Sequence, residues 1–290
     1  MTHIEVRVAR AEDREAVLAF CQDTWDWGDY IDMVWEEWLN DPQGQLLVAS
    51  VDGVPVALSH MQMLTETDAW LEGLRVHPDY RRQGLAKALN DALLVEAMRR
   101  GATYARLAIH AENQRSIEIT ERNFWRRAGG FILYSAPAVA TTSEAQERTQ
   151  LATPADLEEI IDYLNMSNIF PSVGGLYYVD YRGYSISDAL LQKHIEEQHV
   201  YLLRRWDRLD GLAIAEPATR RKGLSLGYID GTAIESISLI AYDLRHRAAD
   251  LQMENVLAYA PDLVLVRDAF DGVEYSGEDA PYYCYERSLL

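Results

Sequence analysis

One stretch concentrates the residues able to do chemistry: Leu71-Glu72-Gly73-Leu74-Arg75-Val76-His77-Pro78-Asp79-Tyr80-Arg81-Arg82-Gln83-Gly84-Leu85-Ala86. Its apolar start reads as a strand that ends before Pro78. After Gly84 the spacing turns helical, with Leu85, Leu89, Ala92 and Leu93 on one face. The N–H groups of a helix's first turn lack intrahelical partners and lie at the positive end of its dipole, which makes this turn an anion site. Gly84 lets a phosphate approach the main chain, and Arg81, Arg82 and Lys87 add charge-assisted contacts. The economical ligand is a diphosphate-bearing cofactor.

Strands and helices alternate around this segment, as in a mixed α/β layer. Strands are expected at 5–10, 45–51, 54–63, 69–76, 105–110 and 131–135, and helices at 12–21, 30–39, 84–100 and 114–127. Asp52-Gly53 marks a tight hairpin, and Arg99, Arg100 and Gly101 end the long helix with basic charge and a left-handed stop. The run Ala136 to Gln150 is small, polar and aperiodic, so the domain linker is placed there, giving domains at 1–140 and 141–290. The second half repeats the element order: a helix opened by Thr153-Pro154-Ala155-Asp156, strands at 200–204, 212–216 and 224–230, a helix at 233–251, a strand at 256–259, a short helix at 263–270 and a strand at 282–288. The segment after its third strand, Gly231-Thr232-Ala233-Ile234-Glu235, has no basic pair, and Asp230 and Glu235 would repel a diphosphate. One cofactor per chain is expected.

The segment resembles the GNAT (Gcn-related N-acetyltransferase) superfamily, whose Arg/Gln-x-x-Gly-x-Gly/Ala signature is matched by Arg81, Gly84 and Ala86. The resemblance runs from Ile4 to Phe131 and takes in Val76-His77-Pro78, Asn113 with Ser116, and Gly130-Phe131. It implies an α/β (mixed α+β) fold of two tandem GNAT-like domains, the second degenerate. It also implies acetyl-CoA (CoA) as cofactor, with the diphosphate on the amides of Arg82, Gln83, Gly84, Leu85, Ala86 and Lys87. The pantetheine arm would pair with Leu74, Arg75 and Val76, between this strand and a splayed neighbour. Asn113 and Ser116 would touch the cofactor from the opposite side, and the Leu74 N–H would polarise the thioester carbonyl.

The acceptor amine must lose a proton before it attacks, so a base is required within hydrogen-bond reach. Glu72, two residues before Leu74 on the same strand face, is the candidate; the alternatives are a solvated carboxylate or an ion-pair partner of Arg75. The family's proton-donating Tyr falls at Thr120 here, with Phe124-Trp125 nearby, and Tyr104 and Tyr134 are the substitutes available in sequence. The acid is left open.

The aromatic and acidic stretch from Trp25 to Trp38 lies where the family builds its substrate wall. Trp27, Asp29 and Tyr30 are candidates to hold a cationic amine, whereas Val34 and Trp38 read as helix core. With Glu-Gly-Leu-Arg-Val, this stretch resembles the subgroup that includes histidine and related amino-acid N-acetyltransferases. The expected reaction is acetyl transfer to a primary amine of a small molecule. The alternatives are a protein or peptide acetyltransferase and a non-catalytic acyl-CoA sensor.

Composition narrows the remainder. A net charge of -19, with 14 basic against 22 acidic residues in 1–145 and 13 against 24 in 146–290, leaves neither half suited to nucleic acid. No segment approaches the ~20 apolar residues of a membrane span, and the first residues show no secretion signal, so a cytoplasmic protein acting as monomer or homodimer is expected. Cys21 and Cys284 read as packing residues. His60, His77 and His110 have no neighbouring ligand spacing, and no metal centre is expected. Gly174-Gly175-Leu176-Tyr177-Tyr178, with Tyr181 and Tyr184, reads either as a flap over the substrate or as a packed hairpin.

Overall fold

Asp52 and Gly53 hold φ of 50° and 87°, the paired left-handed residues that the tight hairpin requires. The computed structural model describes all residues except 1–3, 23, 25–27, 141–147 and 219–221. It divides into two compact units, Met1–Leu107 with Glu286–Leu290, and Ala108–Tyr285. Of the expected linker, Ala136 and Pro137 end a strand, Gln150 begins another, and 141–147 lie outside the described residues.

The first unit orders its strands β1 (Ile4–Val8), β2 (Gly44–Val51), β3 (Val54–Met63), β4 (Asp68–Val76) and β5 (Tyr104–His110), the last crossing into the second unit's residues. Neighbours are antiparallel except β4 and β5, which are parallel. Helices α1 (Arg14–Cys21) and α2 (Ile31–Leu39) pack Val17, Cys21, Ile31, Val34, Trp35 and Trp38 against Leu46, Val48 and Leu58. Each fully buried aliphatic side chain of this kind contributes about 2 kcal/mol. Burial, with Asp29 nearby, pushes the Cys21 thiol up to about 12, consistent with a packing role.

Helix α3 (Leu85–Arg99) lies against β2, β3 and β4 with Leu85, Leu89 and Leu93 buried, and Gly101 (φ 100°) supplies the expected left-handed stop. Arg106 is buried on β5 between Asp68 (2.8 Å) and Glu286 (2.6 Å). Glu286, from the last residues of the chain, thus packs within the first unit.

The second unit contains α4 (Gln114–Arg122), β6 (Arg126–Pro137), β7 (Gln150–Leu151), α5 (Leu157–Met166), the hairpin β8 (Leu176–Val179) with β9 (Arg182–Ser185), and α6 (Asp188–Glu196). There follow β10 (Val200–Arg205), β11 (Arg208–Pro217), β12 (Gly223–Gly231), α7 (Ile234–Asp250), β13 (Asn255–Ala260), α8 (Val264–Asp271), β14 (Ser276–Gly277) and β15 (Tyr282–Ser288). Its strand order is β15-β6-β13-β12-β11-β10-β7, with β14 on β6.

The helix expected to reach Arg127 stops at Arg122, and the strand after it is longer than expected. Asn123 turns its side chain onto the Ile119 carbonyl (2.7 Å), and Phe124 takes φ 64°, so the backbone leaves the helix there.

The repeated element order has a structural counterpart. In each unit a strand pairs in parallel with its neighbour for only a few residues and then runs into a long helix: β4 before α3, and β12 before α7. The register covers three pairs, from Asp68–Tyr104 to Trp70–Arg106, in the first case and four, from Gly223–Asn255 to Leu226–Ala258, in the second.

Candidate active site

The turn between β4 and α3 is built from its backbone. His77 opens a short turn by accepting from the Asp79 N–H (3.2 Å), Arg82 takes φ 65°, and Gly84 takes φ 83° as the residue before α3. The helix ladder starts with Ala88 N–H on the Gly84 carbonyl (3.0 Å), which leaves the amides of Leu85, Ala86 and Lys87 without an intrahelical acceptor. Arg81 to Gly84 are exposed, and a Cβ on Gly84 would meet nothing within 4 Å. These residues fit a diphosphate: free first-turn amides, no side chain at the point of approach, and three cations around it. Two of those cations are engaged, since Arg81 donates to the Val76 carbonyl (3.3 Å) and Lys87 pairs with Asp91. Ligand contact with either must displace an exposed internal bond, which is a small cost.

Two to three residues upstream of Val76, the partner of Arg81, β4 is broken by a bulge. His60 pairs with Glu72 and Leu58 with Arg75, so Gly73 and Leu74 share one position opposite Ser59. Gly73 has φ 69°, and a Cβ there would lie 2.4 Å from the Trp38 ring, so glycine is required on both counts. Leu74 is exposed and outside the β3 register, and the parallel ladder to β5 has already ended at Trp70. The parallel register thus stops short of Leu71 to Val76. A strand edge with a displaced amide at Leu74 is the geometry that an extended amide-bearing arm and a developing oxyanion require.

Beside the bulge, Glu72 Oε1 meets His60 Nδ1 at 3.1 Å. His60 is fully buried, stacks on Trp38 (4.5 Å between centroids, 6° between planes) and has Asp41 3.9 Å from Nε2. Sequence reasoning missed His60 as a partner of Glu72. The signal was present: both residues lie six positions from Glu66, at the turn between β3 and β4, so a regular hairpin sets them opposite one another.

Asp29 forks onto Arg75 (2.7 Å to Nε and 3.2 Å to Nη2), and both side chains are largely buried. Its carboxylate therefore serves Arg75 here, not an open counter-charge for an amine. Tyr30 lies under the Arg75 guanidinium (5.3 Å) and edge-on to Trp38 (6.1 Å). Burial raises the Tyr30 hydroxyl's pKa, against the pull of Arg75. Val34 and Trp38 are core, as their spacing predicts. Trp27 lies outside the described residues.

Asn113 and Ser116 belong to the second unit, where the Asn113 side chain caps α4 by accepting from the Ser116 N–H (3.2 Å). Of the two substitute acids, Tyr104 is registered with Asp68, six residues and about 20 Å along the strand from Leu74. Tyr134 is buried against Phe270 in the second unit's core. Tyr104 is therefore not placed to serve a group at Leu74.

The second unit blocks its own version of the cleft. Beyond Leu226, where β12 loses its parallel partner, a Cβ on Gly227 would lie 2.2 Å from the Tyr177 ring and 2.4 Å from the Tyr178 carbonyl. Tyr177 and Tyr178 are buried there, so the expected aromatic segment is a packed hairpin. The start of α7 is equally closed to anions, with Asp230 buried under Tyr228, Ser167 and Tyr163, and Glu235 paired with Arg205 (2.9 Å).

Comparison with known proteins agrees with this geometry. The acetyltransferase (GNAT) family model matches residues 13–125, spanning the bulge, the phosphate turn and α4. The match to this family is carried by residues 13–125 of the chain. A histidine N-acetyltransferase of Oreochromis niloticus is 31% identical to it over 87 residues, which is 30% of this chain and about a quarter (26%) of the relative's length. Among solved structures, a GCN5-related N-acetyltransferase from Sphaerobacter thermophilus superposes with a TM-score of 0.63 at 12% identity, covering 99% of this chain and 96% of its own. A glucosamine N-acetyltransferase region of a fungal multi-domain enzyme gives 0.62 at 13% identity, over 99% of this chain and 38% of that one. At these identities the likeness concerns the fold alone. No described helix is long and apolar enough to cross a membrane.

Proposed function

We propose that the chain is an acetyl-CoA-dependent N-acetyltransferase acting on a primary amine of a small molecule, an amino acid or a related amine. The observation that carries this reading is the pairing of two features on one strand–turn–helix: the displaced Leu74 amide at the Gly73 bulge, and the open first turn of α3 after Gly84. When bound, acetyl-CoA supplies the activated acyl group. Arg82 to Lys87 hold its diphosphate by main-chain amides, with Arg81, Arg82 and Lys87 adding charge. Glu72 accepts the proton that the ammonium of the acceptor must lose, and the Leu74 N–H donates to the carbonyl oxygen as negative charge builds there.

His60 holds Glu72 in place from beneath. The second unit binds no cofactor, because its corresponding gap is filled by Tyr177 and Tyr178. The amino-acid preference draws on the relative named for histidine.

The test is thiol release from acetyl-CoA across a panel of amino acids, amines and N-terminal peptides, beside calorimetry with CoA. Turnover with free amino acids supports the proposal, and turnover with peptides alone moves the acceptor class. Tight CoA binding with no amine accelerating thiol release would favour a non-catalytic sensor, a reading raised by Thr120 standing where a proton-donating Tyr is usual.

A further inference from the structure

Within the second unit, four side chains converge. His194 is buried near the end of α6, Glu197 follows that helix, His199 precedes β10, and Glu216 lies on β11. Gln198 takes φ 60°, an uncommon conformation for a residue with a side chain, and so folds the chain back until the His199 N–H reaches the His194 carbonyl (2.8 Å). The two imidazole Nδ1 atoms then face each other at 3.5 Å. Glu197 Oε2 lies 3.4 Å from His199 Nδ1, and Glu216 Oε2 lies 3.9 Å from both rings. Ligand atoms of His194, Glu197 and His199 all fall within 4.8 Å of one another.

These separations have a simple geometric reading. Ligands bound at ~2.0–2.1 Å around a tetrahedral ion sit about 3.3–3.4 Å apart. The observed 3.4 and 3.5 Å match that edge, and Glu216 is a few tenths of an ångström outside it. With the ring protons on Nε2, both Nδ1 lone pairs point into the same small space, which then contains only acceptors. A second observation points to the same place. Tyr177 is buried with its ring edge-on to His194 (4.9 Å), and its hydroxyl makes no regular hydrogen bond while facing Glu216. An outer-shell hydroxyl beside a ligating carboxylate is a recurrent part of metal centres.

We propose that His194, Glu197 and His199 bind one divalent transition-metal ion of the zinc class, with Glu216 nearest the fourth position and Tyr177 as its outer partner. Two imidazoles with carboxylates suit zinc and its neighbours better than magnesium or calcium, which take oxygen ligands. The ion ties the end of α6 to the strands that follow it, and its role is to hold the second unit's fold. This proposal is independent of the acetyl-transfer reading.

The experiment uses the full-length, tag-free protein, stripped with chelator and titrated with zinc, with stoichiometry from elemental analysis and affinity from calorimetry. One zinc per chain is expected, together with a rise in Tm on loading. His199→Gln and the exposed Glu197→Gln should each weaken binding at least about tenfold, and Tyr177→Phe by roughly tenfold or more. Cobalt loading should give a tetrahedral visible spectrum that is absent in His199→Gln. Substoichiometric zinc, or equal affinity in the wild type and in both ligand variants, would overturn the site.

Discussion

His60 Nδ1 and Glu72 Oε1 meet at 3.1 Å across the β3–β4 ladder, with the imidazole stacked flat on Trp38 beneath them. The same Trp38 ring forbids a side chain on Gly73, so one buried tryptophan fixes both the carboxylate assigned to proton transfer and the bulge assigned to the oxyanion.

Replacing Glu72 by Gln keeps the shape and removes the proton acceptor. Turnover at neutral pH should fall by about 10²-fold or more while the Kd for CoA stays within roughly twofold. Steady-state rates with calorimetry check this, and unchanged rates would remove Glu72 from the mechanism.

At Gly73, an Ala substitution meets both the ring of Trp38 and an unfavourable left-handed φ. A loss of about 2 kcal/mol or more is expected in urea unfolding, with activity lost alongside.

Gly84 separates fold from ligand. Space is open there, so Gly84→Ala should cost only about 1 kcal/mol, through its φ of 83°. Gly84→Glu should abolish CoA binding by placing an acid where the diphosphate is held, with a Tm close to that of Gly84→Ala. Retained CoA affinity in Gly84→Glu would count against the phosphate site itself.

Glu286 and Asp68 flank the buried Arg106 within the first unit. Glu286→Ala keeps the ion pair with Asp68 but removes the acceptor of the buried Arg106 Nε–H (2.7 Å), and a destabilisation of about 1–3 kcal/mol is expected from denaturant titration.

Asp243 gives a pH dependence with a definite sign. Burial pushes its pKa up, but the bonds from Thr149 and Arg148 and the charge of Arg247 outweigh this, and the net shift is downward. A folded pKa below the unfolded value of about 3.9 gives stability that is complete above that pH and lost as pH falls through the folded pKa. Asp243→Asn should therefore lower stability at neutral pH and flatten the acid limb of the unfolding curve, read as Tm against pH between about 2 and 6.

Local chemistry was legible in the sequence: the Asp52-Gly53 turn, the helix after Gly84 with its Gly101 stop, and the absence of a basic turn before α7. Each depends on residues within one or two turns of chain, where φ preferences and free amides act directly. Hairpin spacing already set His60 opposite Glu72; tertiary structure alone decided that Asp29 is taken by Arg75, that Tyr177 and Tyr178 fill the second unit's gap, and that His194 and His199 face one another with Glu216. Those outcomes hinge on register, on a single bulge and on left-handed turns at residues such as Gln198. A shift of one residue in any of them would carry every side chain beyond it to the opposite face.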